Sequence, residues 1–427
     1  MASLKIQRSI FPELVLLGSL AGFPFVAAIA DFFSLPSTLL SIALRATIFI
    51  LCVIALIHVK KPKRQQTGET LIRLAMLFWI IYLIRLSYYT TAFPSNLRLT
   101  PALYWVWALG VCLIPMLSIS SASGKQIDFD RSFRMLFVVG FIAILMAYFS
   151  ASTEVYRDGR LLDIGRIQLD SLNPISLGRL GAVMTALSIW LILKKRYFEF
   201  PNLARGAAVV AVAIGVYLMI NSGSRGPVLA LLSSLMLLTF ASSIRRGVAM
   251  ALIFMLLASA IYISAERFSI LNMDALLGRF AAMQQMSDMA AQERLTSFGG
   301  AVAAFRDSPI LGFGLEEPRT GFYPHNLVLE AFMSTGLIGG VIFLWICASG
   351  VLVSIRLFKS NNPDGWVGLL FIIYLVQGMF SGALYQSGEF WCSVAILTVA
   401  AARAKAQSTD HPVTPQHAAA PVLADER

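Results

Sequence analysis

Of the four histidines, His325 stands apart, in the run Tyr323-Pro324-His325-Asn326 where a long mixed segment gives way to an apolar one. His58 ends an apolar run, and His411 and His417 lie in the polar C-terminal stretch. Imidazole is the side chain best matched to proton transfer near neutral pH, which makes His325 the candidate general base. The plainer alternative is an interfacial histidine capping a helix. Glu316, Glu317 and Glu330 are alternative bases nearby in the chain.

The second group is cationic. Ser222-Gly223-Ser224-Arg225-Gly226-Pro227 separates two apolar runs. Its glycines let backbone approach a ligand closely, and Pro227 suits the first turn of a helix. Arg225 then sits beside a helix N-terminus, where free N–H groups favour an anion. A phosphate would satisfy both; an arginine reaching to lipid headgroups is the alternative. Arg179 follows Asn173-Pro174, a cap and first turn, and would lie ~9 Å along its helix. A charge there is costly unless it faces a polar cavity, and Asp170 is a possible partner. Arg294, beside Glu293, lies on an expected helix that shares its segment with Arg279 and Arg306.

The elements that must position these groups are membrane helices. The 427 residues are 57% hydrophobic and only 13% charged, with a mean hydropathy of +0.74. That excludes a soluble enzyme, a disordered chain and a disulfide-stapled secreted domain. Twelve spans are expected, at 10–31, 38–58, 72–92, 101–120, 134–152, 174–193, 203–221, 227–243, 247–264, 327–355, 365–384 and 388–404. The N-terminus imitates a signal sequence, with Lys5 and Arg8 before Ala28-Ile29-Ala30, but its apolar stretch is long and broken by Pro24, so retention is expected.

With both termini in the cytoplasm, 21 of the 34 basic residues face inside, including all nine lysines. Arg45 and Arg85 fall within spans, and the eleven outside residues are all arginine. A planar guanidinium suits bidentate contact with phosphate or carboxylate better than lysine does. Ion pairing with Asp158, Asp163 and Asp170 is the competing explanation for some of them. Two outside segments are long, 153–173 and 265–326. The second shows helical spacing over Asp274–Met286 and Ser287–Phe305, broken after Pro309 by Gly312 and Gly314. The expected organisation is a cytoplasmic N-terminus (1–9), nine spans to 264, a periplasmic loop (265–326), three spans (327–405) and a disordered tail (406–427).

Cys52, Cys112, Cys347 and Cys392 all sit in apolar runs and read as small core residues. No phosphate-binding GxxxxGK[ST], HExxH or metal-ligand spacing occurs, so no metal or cofactor is expected. Phosphate chemistry on such a scaffold needs fixed cations, which outer arginines supply.

Taken together, Ser222-Gly223-Ser224-Arg225-Gly226, Arg294, Phe305, Pro309, Gly312, Gly314, His325-Asn326 and Gly336 resemble the O-antigen ligase/polymerase superfamily of bacterial glycosyltransferases. Asn173-Pro174 also fits, and the likeness runs from about 160 to 345. The resemblance implies an all-α, GT-C-like inner-membrane enzyme with a large helical periplasmic loop between the ninth and tenth spans. It implies metal-independent transfer of a glycan from undecaprenyl diphosphate to an acceptor sugar, on lipid A-core in ligases or another lipid-linked repeat in polymerases. By resemblance Arg225 and Arg294 hold the diphosphate and His325 acts at the acceptor hydroxyl. Arg179, Ser224 and Asn326 join the expected substrate-binding set.

The chemistry agrees with that expectation. Diphosphate is a good leaving group whose growing charge arginines would stabilise, and attack from the far face would invert the anomeric centre. A transporter or flippase for lipid-linked glycan is the competing class, with Arg45 and Arg85 as its clues. Residues 265–326 carry five arginines against seven acids, a poor basic dock for anionic lipid A-core, which tips the expectation marginally to polymerase or exopolysaccharide work. A chain-length regulator is a possible partner, and no nucleic acid is expected.

Overall fold

The computed structural model describes residues 10–58, 69–122, 124, 126–157, 160–194, 196–243, 245, 248 and 289–410. In chain order the elements are α1 (Phe11–Phe32), α2 (Ser37–His58), α3 (Glu69–Ala92), α4 (Pro101–Ser121) and α5 (Phe129–Ser150). A hairpin of β1 (Ser152–Arg157) and β2 (Arg160–Gln168) follows, then α6 (Pro174–Lys194), α7 (Pro201–Asn221) and α8 (Arg225–Ser242). The chain resumes with α9 (Met289–Asp307), α10 (Leu327–Lys359), α11 (Trp366–Gly378) and α12 (Gly388–Asp410).

Among the described residues, nine helices are long and apolar enough to cross a membrane, where the sequence predicts twelve spans. The ninth expected span, the first half of the long outer segment with Arg267 and Arg279, and His411 and His417 lie outside the described residues. The expected eleventh span is shorter than predicted. Its helix stops at Gly378, and Met379–Ser387 run on as turns. The expected twelfth is a helix, but Glu389, Arg403 and Lys405 interrupt its apolarity. That helix also continues through Asp410, past residue 406 where the tail was expected to begin.

Local chemistry explains the helix starts. Asp128 accepts the Arg131 N–H (3.0 Å), Asn173 that of Ser176 (2.9 Å), and Asn326 those of Val328 and Leu329 (3.0 and 3.1 Å). Prolines open α4, α6 and α7. Two helices widen into π-helical turns, α1 over Gly18–Gly22 and α4 over Val106–Leu113. Each widening runs up to a proline, Pro24 or Pro115, whose ring has no N–H and crowds the preceding turn.

Small residues bring α6 and α7 together. A Cβ on Gly181 would collide with the Gly215 carbonyl, so only glycine permits this approach. The centre of the bundle is aromatic: Phe78, Trp79, Phe343, Phe390 and Trp391 pack mostly tilted or edge-to-face, with centroids 5.0–6.0 Å apart. The hairpin pairs Val155 with Leu162 and Tyr156 with Leu161, antiparallel. It adds strand to the outer segment expected at 153–173, and among the described residues it is the one sheet in an otherwise helical fold.

α10 is broken in its middle. Gly336 has φ 68° and ψ −164°, a conformation open in practice to glycine alone. The segment after α9 docks into the break: Phe313 donates its N–H to the Met333 carbonyl (2.7 Å), and Leu337 donates to that of Pro309 (2.7 Å). Gly312, at φ 82°, lies against Ser334 too closely for any side chain. Arg85 of α3 clamps the joint, donating to the carbonyls of Gly312 (2.6 Å) and Ser334 (3.1 Å). The Pro309, Gly312, Gly314 and Gly336 pattern thus fixes the strand of chain that leads to His325.

Candidate functional site

His325 sits between that docked segment and the start of α10. Its φ is 56°, the left-handed region that non-glycine residues seldom occupy. Strain of this kind persists only where the surroundings hold it, and here the Asn326 cap and the ring contacts do so. The imidazole lies 4.5 Å from the Tyr323 ring centroid and 6.2 Å from that of Phe322. Its Nδ1 is buried with no hydrogen-bond partner. Burial pushes the imidazole down from its ordinary value to about 4, and the nearby Arg294 and Arg98 cations push the same way. His325 is therefore neutral at physiological pH, able to accept a proton.

A cavity of ≈ 450 Å³ opens beside it, lined by Glu293, Arg294, Ser297, Thr320, Phe322 and His325. The structure thus joins two of the expected site residues, His325 and Arg294, although 31 positions separate them in the chain. α9 supplies Arg294 from the helix expected at Ser287–Phe305. The turn that carries Thr320 and Phe322 is held by buried Glu317, whose carboxylate accepts from the Arg319 and Thr320 N–H groups and the Thr320 hydroxyl.

The other expected residues fall differently. Ser224 is buried just before α8, its hydroxyl donating to the Ser222 carbonyl (3.4 Å), with Arg225 opening the helix as predicted. This end of α8 abuts the turn after α11: a Cβ on Gly226 would lie 3.4 Å from Gln377 and 3.5 Å from Phe380. Asn326 reaches the same turn, donating from Nδ2 to the Met379 carbonyl (3.1 Å). The Asn326 side chain thus ties the start of α10 to the turn after α11, beside His325. Arg179 pairs with Glu389 at 2.9 Å, not with Asp170, and lines a different cavity.

Of the alternative bases, none is as available as His325. Glu317 is committed as described. Glu330 is fully buried in α10 and accepts the Leu384 N–H (2.9 Å). Glu316 accepts from the Tyr104 hydroxyl and the Arg98 N–H, and burial raises its carboxyl above the ordinary range. Exposed Glu293 lines the His325 cavity and was not foreseen as a participant.

Sequence reasoning also missed Arg98. It reaches from the loop before α4 to lie 3.3 Å from the Phe322 ring centroid, adding a second cation near His325. The only signal was its membership in the set of outer arginines. Among the described residues no group of three or more His, Cys, Asp or Glu side chains is placed to hold a metal ion.

The fold and site define a multi-pass membrane protein with a polar, arginine-bearing pocket at one end of its bundle. The family model for O-antigen ligase matches residues 208–344 and supports placement in the O-antigen ligase/polymerase superfamily. The matched span holds the Arg225 turn, Arg294, the docked glycines, His325 and the α10 break, and leaves Arg179 outside. The match suggests a membrane glycosyltransferase-like function in O-antigen assembly, and that family implies lipid-linked glycan donor and acceptor substrates. No curated protein matches the chain.

Proposed function

We propose that this chain is a metal-independent glycosyltransferase of the ligase/polymerase type. It moves a glycan from undecaprenyl diphosphate to an acceptor sugar hydroxyl at the periplasmic face of the bacterial inner membrane. The observation that carries the proposal is a neutral imidazole, His325, sharing one cavity with the guanidinium of Arg294.

In the reaction the acceptor oxygen bonds to the donor sugar C1 as the C1–O bond to phosphate breaks. The bonding pair leaves with the diphosphate, and the hydroxyl proton passes to His325. Arg294 and Arg225 stabilise the departing charge. A diphosphate on Arg294 offsets the cationic field that depresses His325, so the base strengthens when the donor is bound. The helix N-terminus at Arg225 favours the same anion.

Slight acidity of the loop around α9 favours a lipid-linked glycan over anionic lipid A-core as acceptor, and so a polymerase role in O-antigen or exopolysaccharide assembly. The transporter alternative loses one of its clues, because Arg85 is spent on the α10 joint. The test is product analysis in lipid nanodiscs with the native lipid-linked glycan as sole substrate. A ladder of longer lipid-linked products, lost in His325→Ala, supports a polymerase. Transfer only after lipid A-core is added makes it a ligase, and transfer with neither acceptor overturns the proposal.

A further inference from the structure

A second cavity, of ≈ 290 Å³, lies on the other side of Tyr323. Arg45, Trp107, Arg179, Gln386 and Glu389 line it together with Tyr323. Both π-helical turns open onto it, through Gly18 and Ser19 of α1 and through Trp107, Gly110 and Val111 of α4. Widened turns of this kind recur at functional sites.

Its two arginines are not equivalent. Arg179 is neutralised by Glu389 at 2.9 Å. Arg45 is held by aromatic faces instead, 4.5 Å from the Trp107 ring centroid and 5.7 Å from that of Phe23. No carboxylate among the described residues pairs with it. Cation–π contact leaves the guanidinium's positive charge in place, ~12 Å along a membrane-spanning helix. A charge kept there without a counter-ion marks an anion's place.

The helix bearing Arg45 tells what kind of anion. Few residues of α2 are buried, and Ile42, Phe49, Ile50 and Val53 are exposed along it. The chamber wall is therefore a helix whose other faces meet lipid. Leu44 and Ile48 line the chamber beside Arg45 and give an apolar flank to a chain entering with its headgroup.

We propose that the Arg45–Trp107–Arg179 chamber binds the phosphate headgroup of a lipid, as a site separate from the His325 cavity. Arg45 donates to the phosphate oxygens, and the Arg179–Glu389 pair limits how much charge the chamber accepts. A transferase joining two lipid-borne glycans needs two such sites, and on the reading above the chamber serves the second carrier lipid.

Binding of two probes, undecaprenyl diphosphate and phosphatidylglycerol, to the full-length protein in phosphatidylcholine nanodiscs tests this. Arg45→Gln should weaken the Arg45-dependent class at least about tenfold, the worth of one charge-assisted bond. Arg45→Lys should weaken it less, and Glu389→Gln, which frees Arg179, should strengthen it. Size-exclusion profiles and Tm confirm that each variant is folded. Loss of undecaprenyl diphosphate binding makes the occupant a carrier lipid; loss of phosphatidylglycerol binding alone makes it a bilayer lipid. Both support the site. Unchanged binding of both probes in folded Arg45→Gln overturns it. Arg294→Gln should leave this class intact, so an Arg45 effect without any glycan transfer would sink the transferase reading and spare the chamber.

Discussion

The rings of Tyr323 and His325 lie 4.5 Å apart, tilted by 59°, and face different cavities. Only Pro324 stands between them in the chain, so one short link forms part of both walls. A change in either ring is felt on both sides of the partition.

The backbone at His325 and its chemistry should separate. Removal of the ring in either His325→Ala or His325→Gly should cut transfer by about 10²–10⁴-fold. The two should differ in stability. Glycine relaxes the φ of 56°, so the glycine variant should be more stable than the alanine variant by about 1 kcal/mol. Paired thermal melts and single-turnover rates measure both. Equal melts would show that the backbone there is unstrained.

Acid should reach His325 through linkage. Its folded value of about 4 lies below the ordinary 6.5, so the unfolded chain binds more protons between those limits. The neutral imidazole's contribution is complete above pH 6.5 and is lost as pH falls toward 4. Wild type should lose stability relative to His325→Gln across that window, by no more than about 1.4 kcal/mol per pH unit. Melts from pH 7 to 4 check the sign, and a constant difference would contradict it.

The α10 joint should be intolerant. Gly336→Ala places a methyl against the Ile310 carbonyl in a glycine-only conformation, at a cost of about 2 kcal/mol or more. Arg85→Lys should also lower Tm, because one ammonium cannot span the Gly312 and Ser334 carbonyls as the guanidinium does. Both variants should slow transfer by misplacing His325, with donor affinity less affected. Wild-type melting of both would show that the joint is not structural.

Arginine geometry should matter at the proposed diphosphate site. Arg225→Lys and Arg294→Lys keep the charge and lose bidentate contact, so donor KM should rise about tenfold. Full activity in both would remove these residues from the donor site.

Much of the bundle was legible, because apolar runs of this length have few alternatives in lipid. The Asn173 cap, the Ser222–Pro227 turn and the helix carrying Arg294 also follow from local rules that the structure obeys. What escaped depends on contacts distant in the chain. The break at Gly336 hides inside a continuous apolar run, and only the docking of Pro309–Gly314 reveals it. Arg179 was read against Asp170, its neighbour in sequence, whereas its partner Glu389 arrives from another helix. Arg98 meets Phe322 by the same kind of long-range closure. The bond from Asn326 to the Met379 carbonyl is another such closure, since the turn it reaches comes from the far end of α11.

The central claim is that a glycosidic bond is made at His325 at the expense of a sugar–diphosphate bond. Its most direct test quantifies released undecaprenyl diphosphate and new glycosidic bonds in one reaction, with anomeric analysis of the product, for wild type and His325→Ala. The account predicts one diphosphate released per bond, inversion at C1, and loss of both signals in the variant while donor still binds. Glycan that crosses the bilayer with its diphosphate linkage intact, or retention at C1, would contradict it.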